Sequence, residues 1–200
     1  RGAEFVHRGP IAPESGMRPT EFAFTPARQL LALTEGTVSP SLYVASLAAP
    51  GRRIELGSDV PVVPFYFSGK GSYLAAATKG LDSLRVWNVE SGQIVASINQ
   101  NFSDACFAAN GSVLVVALHN RIRGEIGFYD LARPDRGLKC VPGGFFNTKL
   151  AVSPDGGLVS VTSNDGQILL LDPVLRKKKG SLRGHLIVAL RSALDRKSVG

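Results

Sequence analysis

Ser46, Asn88, Asp130 and Asp172 follow one another at intervals of 42 residues. The text around the last three repeats with them: Val86-Trp87-Asn88-Val89, Phe128-Tyr129-Asp130-Leu131 and Leu170-Leu171-Asp172-Pro173. The earlier copy, Tyr43-Val44-Ala45-Ser46-Leu47, is degenerate. A period of this length, closing an apolar strand on an acid or an amide, assigns one supersecondary unit to each repeat.

The interior of each unit is built alike. An alternating strand comes first, at residues 21–24, 63–67, 105–107 and 150–152. A polar turn follows, at 25–29, 68–72, 108–112 and 153–157, and then a strongly apolar strand at 30–33, 73–77, 113–118 and 158–162. The strand that carries the period is third, and a fourth leads to the next unit. Phe24, Phe67, Phe107 and Val152 are spaced 43, 40 and 45, so the period wobbles only where loops differ. Ser153-Pro154-Asp155-Gly156 is a turn with a mechanism: Pro presets φ, Asp caps its own turn and Gly accepts positive φ. Four strands per repeat of this length predict an all-β fold, a partial β-propeller of about four four-stranded antiparallel blades. The expected organisation is a flexible lead-in at 1–19, four blades at 20–185, and at 186–200 a stub of a fifth blade or a sequence artefact. A closed propeller commonly takes six to eight blades, so the expectation is a fragment of a larger propeller, with seven blades the expected number. Trp87 is expected to be buried between two blades.

Composition narrows the class. No apolar run approaches the roughly 18 residues of a membrane-spanning helix. Cys106 and Cys140 make no disulfide framework, which points to an intracellular location, nucleus or cytoplasm. The net charge of +7 lies entirely in one region: residues 1–120 hold nine basic and nine acidic residues, residues 121–200 fourteen and seven. A one-sided basic region attracts acidic protein segments or nucleic acid.

Motifs for chemistry fail one by one. Gly69-Lys70 lacks the upstream glycine of a phosphate-binding loop. His7, His119, His185, Cys106 and Cys140 show no zinc-ligand spacing. No Gly-x-Ser-x-Gly elbow is present. Asp155 and Asp165 both sit in turns, where capping explains them. The sequence therefore predicts no enzyme, no catalytic residue, no metal site and no cofactor.

The repeat resembles the WD40 family. Gly184-His185, with Ser192 seven positions on, resembles the Gly-His pair that opens a blade. Trp87-Asn88, Tyr129-Asp130 and Leu171-Asp172 resemble its Trp-Asp dipeptide. The resemblance covers residues 20 to about 190. In that family a His, a strand hydroxyl, a hairpin Asp and the Trp form a hydrogen-bond chain. Asp165 and Ser163 match two of its members, but Leu171 replaces the Trp, so packing must hold these blades. Within the family, the last two units resemble the WD-repeat subunit of the COMPASS histone-methyltransferase and transcription-termination complexes. The matching text is Tyr129-Asp130-Leu131 with Asp135 and Gly137, then Ser153, Asp155-Gly156 and residues 168–172. Residues 92–101 instead resemble a transducin-β-like protein. The family implies a non-catalytic scaffold that joins other proteins in a multisubunit complex; a chromatin- or nucleic-acid-associated adaptor is the alternative.

The candidate partner-binding residues are basic and fall in equivalent turns. Arg133 and Arg136 belong to the third-to-fourth turn of one blade, and Arg176, Lys177, Lys178 and Lys179 to that of the next. The repeat places them on one rim with their charged heads in solvent, and puts Arg121 and Arg123 on the opposite rim. The plainer reading is solvated hairpin tips that blunt association.

Overall fold

The computed structural model describes residues 19–25, 30–35, 41–47, 53–57, 62–77, 83–119, 124–144, 147–164 and 166–183. They form sixteen strands. In chain order these are β1 (Pro19–Thr25), β2 (Leu30–Glu35), β3 (Ser41–Ser46), β4 (Arg53–Gly57), β5 (Val62–Phe67), β6 (Tyr73–Ala77), β7 (Leu84–Asn88) and β8 (Ile94–Ile98). Then come β9 (Phe102–Ala108), β10 (Val113–His119), β11 (Gly124–Asp130), β12 (Leu138–Pro142), β13 (Asn147–Val152), β14 (Val159–Ser163), β15 (Gln167–Asp172) and β16 (Lys177–Arg183). They pair as four four-stranded antiparallel sheets, each in chain order: β1 to β4, β5 to β8, β9 to β12 and β13 to β16. We number these sheets blades 1 to 4. The other regular structure among the described residues is two short 3-10 turns, Ala109–Gly111 and Pro134–Arg136. The fold is the partial β-propeller that the repeat predicts. The expected lead-in up to residue 18, and Arg121, Arg123, Asp165, Gly184, His185 and Ser192, lie outside the described residues.

The third strands β3, β7, β11 and β15 end on Ser46, Asn88, Asp130 and Asp172, the residues that carry the period. For three of them the reason is a side-chain cap. Asn88 Oδ1 accepts the N–H groups of Glu90 and Ser91, both at 3.0 Å. Asp172 Oδ1 accepts those of Val174 (3.0 Å) and Leu175 (2.8 Å), and Asp130 Oδ1 that of Ala132 (3.1 Å). An acid or amide here closes the strand by satisfying the backbone donors of the following turn.

Three cores lie between successive blades. The strongly apolar β10 shows how they are shared. Val113, Val115 and Ala117 join Ile126, Phe128, Val159, Val161, Leu169 and Leu171 in the core between blades 3 and 4. Leu114, Val116 and Leu118 point the other way, into the core with Leu84, Val86, Ala96 and Ile98 of blade 2. A strand buried on both faces reads as a continuous apolar run rather than an alternation. The core between blades 1 and 2 is centred on Trp87, which is fully buried among Ala32, Leu42, Val44, Leu56, Leu74 and Ala76. Its indole Nε1 finds no hydrogen-bond partner among the described residues. Among the described residues, packing surrounds Trp87 and no polar side chain bonds its indole.

Two glycines let the blades approach at one end. Gly111 (φ +89°) and Gly156 (φ +70°) lie in the first-to-second turns of blades 3 and 4. A Cβ on Gly111 would lie 2.9 Å from Ser68 Cβ in the turn of blade 2. One on Gly156 would lie 2.9 Å from the backbone N of Asn110 in the turn of blade 3, and Gly156 O accepts the Ala109 N–H at 2.9 Å. Each turn nests into the one before it, in a conformation that only glycine adopts without strain.

Candidate functional site

The first-to-second and third-to-fourth turns of a blade meet at the same end. Val89 N–H donates to Ser72 O (2.9 Å) in blade 2, and Leu131 N–H to Ser112 O (3.0 Å) in blade 3. At this end Asp130 Oδ2 accepts from Arg176 Nη2 of blade 4 at 2.6 Å, and Arg133 Nε lies 3.3 Å from the same oxygen. The shared carboxylate brings the Arg133 and Arg176 turns together on one rim of adjacent blades.

Two details of the sequence reading are corrected. The turn of blade 4 is residues 173–176, and Lys177, Lys178 and Lys179 open the outer strand β16. The cause is the tight turn set by the Asp172 cap, which returns the chain to the sheet at Lys177 opposite Asp172. Lys178 pairs with Leu171 and Gly180 with Leu170, so Lys179 is the extra residue of a bulge. The second correction concerns Arg176. Its side chain is only 13% exposed, because its guanidinium is drawn down onto Asp130. Arg176 also has φ +54°, at the turn position where blade 2 carries Gly92 at φ +70°. A left-handed backbone is unfavourable for a residue with a Cβ, and the buried ion pair offsets that cost.

What the rim offers to solvent is narrower than its composition. Arg136, Lys177, Lys178 and Lys179 are exposed, and Arg133 keeps 56% of its side chain exposed beside Asp130. Among the described residues Arg136, Lys177 and Lys178 form no ion pair. Asp155, in the first-to-second turn of blade 4, takes a hydrogen bond from the Ser153 hydroxyl (2.5 Å) and one from Gly157 N–H (3.0 Å). These bonds, with Lys179 nearby, hold its carboxyl below the usual carboxylate range. Burial works against ionisation of Asp130, but the Ala132 N–H, Arg176 and Arg133 outweigh it and lower its pKa too.

A second polar cluster was not legible as a site. Asp104 in β9 is buried in the inner strand of blade 3 and links three blades. Its Oδ1 accepts the Tyr66 hydroxyl of blade 2 at 2.8 Å. Its Oδ2 accepts the Leu150 N–H of blade 4 at 2.9 Å, with Lys149 Nζ at 3.9 Å. Burial and then the Asp104 charge push the Tyr66 phenol far above its ordinary value, and they push the Cys106 thiol up to about 12. Burial and then Glu125 raise the Cys140 thiol. Both cysteines are therefore neutral thiols near pH 7, not thiolate nucleophiles. Among the described residues no group of three His, Cys, Asp or Glu could hold a metal ion. No helix among them is long and apolar enough to cross a membrane.

No family model matches the sequence, and no curated protein matches it significantly. Solved structures do match in shape. The β-propeller domain of Cps50 (Swd1) from Myceliophteria thermophila superposes with a TM-score of 0.59 at 15% identity, over 84% of this chain and 55% of that one. At this identity the likeness shows the fold, a β-propeller, and the chain spans about half the length of that domain. Such a fold presents turns at both ends of a rigid stack.

Proposed function

We propose that this chain is a non-catalytic scaffold of a multiprotein complex, and that its basic rim docks an acidic segment of a protein partner. One observation carries the reading: the rim is fixed while its cations are left over. The Asp130 clasp and the nested glycine turns hold blades 3 and 4 in place, and Arg136, Lys177, Lys178 and Lys179 remain exposed beside them. Charges on a rigid frame steer encounter without the ordering cost that a mobile tail incurs. The resemblance of the last two units to a COMPASS subunit makes a chromatin-bound assembly the kind of complex such a scaffold would serve.

The test uses poly-glutamate as the probe and follows association against salt. Reversing Lys177, Lys178 and Lys179 to Glu should slow association and flatten its salt dependence, with little change in folding, because rim charges act on encounter rate. An unchanged salt slope would reduce the lysines to solubilising residues of an edge strand. Preference for duplex DNA over poly-glutamate, with a steep salt slope, would instead favour the nucleic-acid adaptor.

A further inference from the structure

The third-to-fourth turns of blades 2 and 4 are the same turn with different tips. In each, an Asx side chain caps the N–H groups two and three residues on, at 2.8–3.0 Å. In each, the next position has positive φ, at Gly92 and at Arg176. The residue after the cap is buried in both, Val89 and Pro173. The two tip residues differ in kind. Blade 2 places Glu90 and Ser91 in solvent; blade 4 places Val174 and Leu175 there, 65% and 56% exposed. Blade 2 shows that this turn folds with a polar tip, so folding does not require the apolar pair of blade 4. Among the described residues the other exposed large apolar side chains, Ile94 and Leu182, stand singly on outer strands, as is ordinary. Val174 and Leu175 are adjacent in the chain on the basic rim, with Lys177, Lys178 and Lys179 following and Arg133 and Arg136 on the neighbouring turn, which the Asp130–Arg176 pair joins to this one.

We infer that Val174 and Leu175 form the apolar anchor of a docking site for an acidic protein segment that carries aliphatic side chains between its carboxylates. This rests on the basic-rim reading above and names the partner's chemistry. An apolar pair inside a collar of cations is complementary to a segment with the reverse pattern: carboxylates reach the collar, and an aliphatic side chain covers the pair and removes it from water. The pattern suits nucleic acid poorly. Phosphate contacts need only the cations, and single strands are held by stacking on exposed aromatic rings. No aromatic side chain is exposed among the residues whose burial is described.

The test measures binding of two fluorescent twelve-residue peptides, one alternating Glu and Leu, the other alternating Glu and Ser. The wild-type chain should bind the Leu peptide about tenfold more tightly, the effect of burying part of two aliphatic side chains. The double variant Val174→Ser, Leu175→Ser should bind both peptides alike, at the strength of the Ser peptide. Val174→Ile with Leu175→Met should restore the preference, which separates lost apolar contact from a disturbed turn. The Lys177→Glu, Lys178→Glu, Lys179→Glu variant should weaken both peptides. Equal binding of the two peptides by the wild-type chain, weakened only by charge reversal, would overturn the apolar anchor and leave the basic rim standing. Peptide binding that charge reversal does not touch would overturn the rim itself. A single-stranded oligonucleotide bound more tightly than the Leu peptide would overturn the choice of a protein partner.

Discussion

The seam between blades 1 and 2 and the seam between blades 3 and 4 are joined differently. The first is apolar around Trp87, whose buried indole N–H has no partner among the described residues. The second has an apolar core of comparable make-up, with Phe128, Val161, Leu169 and Leu171, and adds polar straps at both depths. Asp104 reaches the Leu150 N–H in the inner strands, and Asp130 holds Arg176 at the rim. The hydrophobic effect is non-directional, so it can hold two sheets together without fixing how they slide. Hydrogen bonds and ion pairs between named atoms fix that register. Among the described residues, the seam next to the proposed docking surface is fixed in this way.

The comparison is broken most severely at Trp87. Trp87→Ala should cost about 3–5 kcal/mol, the range for truncating a buried aromatic, read as a shift of the chemical-denaturation midpoint. Trp87→Phe should cost less, because it keeps an aromatic ring in the core, leaves a smaller void than Ala, and removes a buried N–H that has no partner among the described residues. A cost below about 1 kcal/mol for Ala would mean that Trp87 does not carry the first seam.

The inner strap comes next. Asp104→Ala leaves the Tyr66 hydroxyl and the Leu150 N–H without their acceptor, and should cost about 2–3 kcal/mol. The double variant Tyr66→Phe, Asp104→Ala should cost less than the two single changes added together, since they share one bond. Strict additivity would show that the strap is not an energetic unit.

Much of this was legible from one number. The 42-residue period located all four third strands to their last residue, and in three of them the repeated residue is the one whose side chain closes the turn. The second strands β6 and β10 were legible because burial on both faces writes an unbroken apolar run. Asp104 was passed over because it stands just ahead of the expected inner strand at 105–107. The available signal was a lone acid inside Phe102-Ser103-Asp104-Ala105-Cys106-Phe107, a stretch that had to be buried. Arg176 was misread for a different reason. Charge counting places a cation in solvent by default, and its partner lies 46 residues back. Alignment with Gly92 would have shown that the position requires positive φ, which makes an arginine there unusual enough to need a reason.

That reason gives a smaller and sharper prediction. Arg176→Ala loses the Asp130 pair and keeps the backbone strain, and should cost about 1–2 kcal/mol. Arg176→Gly loses the same pair but relieves the strain, so it should be the more stable of the two by about 0.5–1 kcal/mol. This reverses the usual order of Ala and Gly within regular structure. Thermal melts of the two variants decide it, and an Ala variant equal to or better than Gly would show that the ion pair does not hold a strained turn.

The smallest effect expected is the pH dependence of the same clasp. Burial disfavours the Asp130 carboxylate, but the Ala132 N–H, Arg176 and Arg133 favour it more, and its pKa lies below the ordinary carboxylate value of about 3.9. A group whose pKa is lowered on folding contributes stability that is fully present above the unfolded value and is lost as pH falls through the folded one. The clasp should therefore be intact at neutral pH and release only in acid, below about pH 4. Asp155 is lowered as well, so the acid limb of the wild-type curve is not due to Asp130 alone. The difference between wild type and Asp130→Asn isolates the clasp, because Asp155 is common to both. That difference, taken from urea midpoints between about pH 7 and pH 2, should be constant down to the ordinary carboxylate pKa and shrink below it. A difference that stays flat to the acid end would mean that Asp130 holds its neighbours as a hydrogen-bond acceptor and not by its charge.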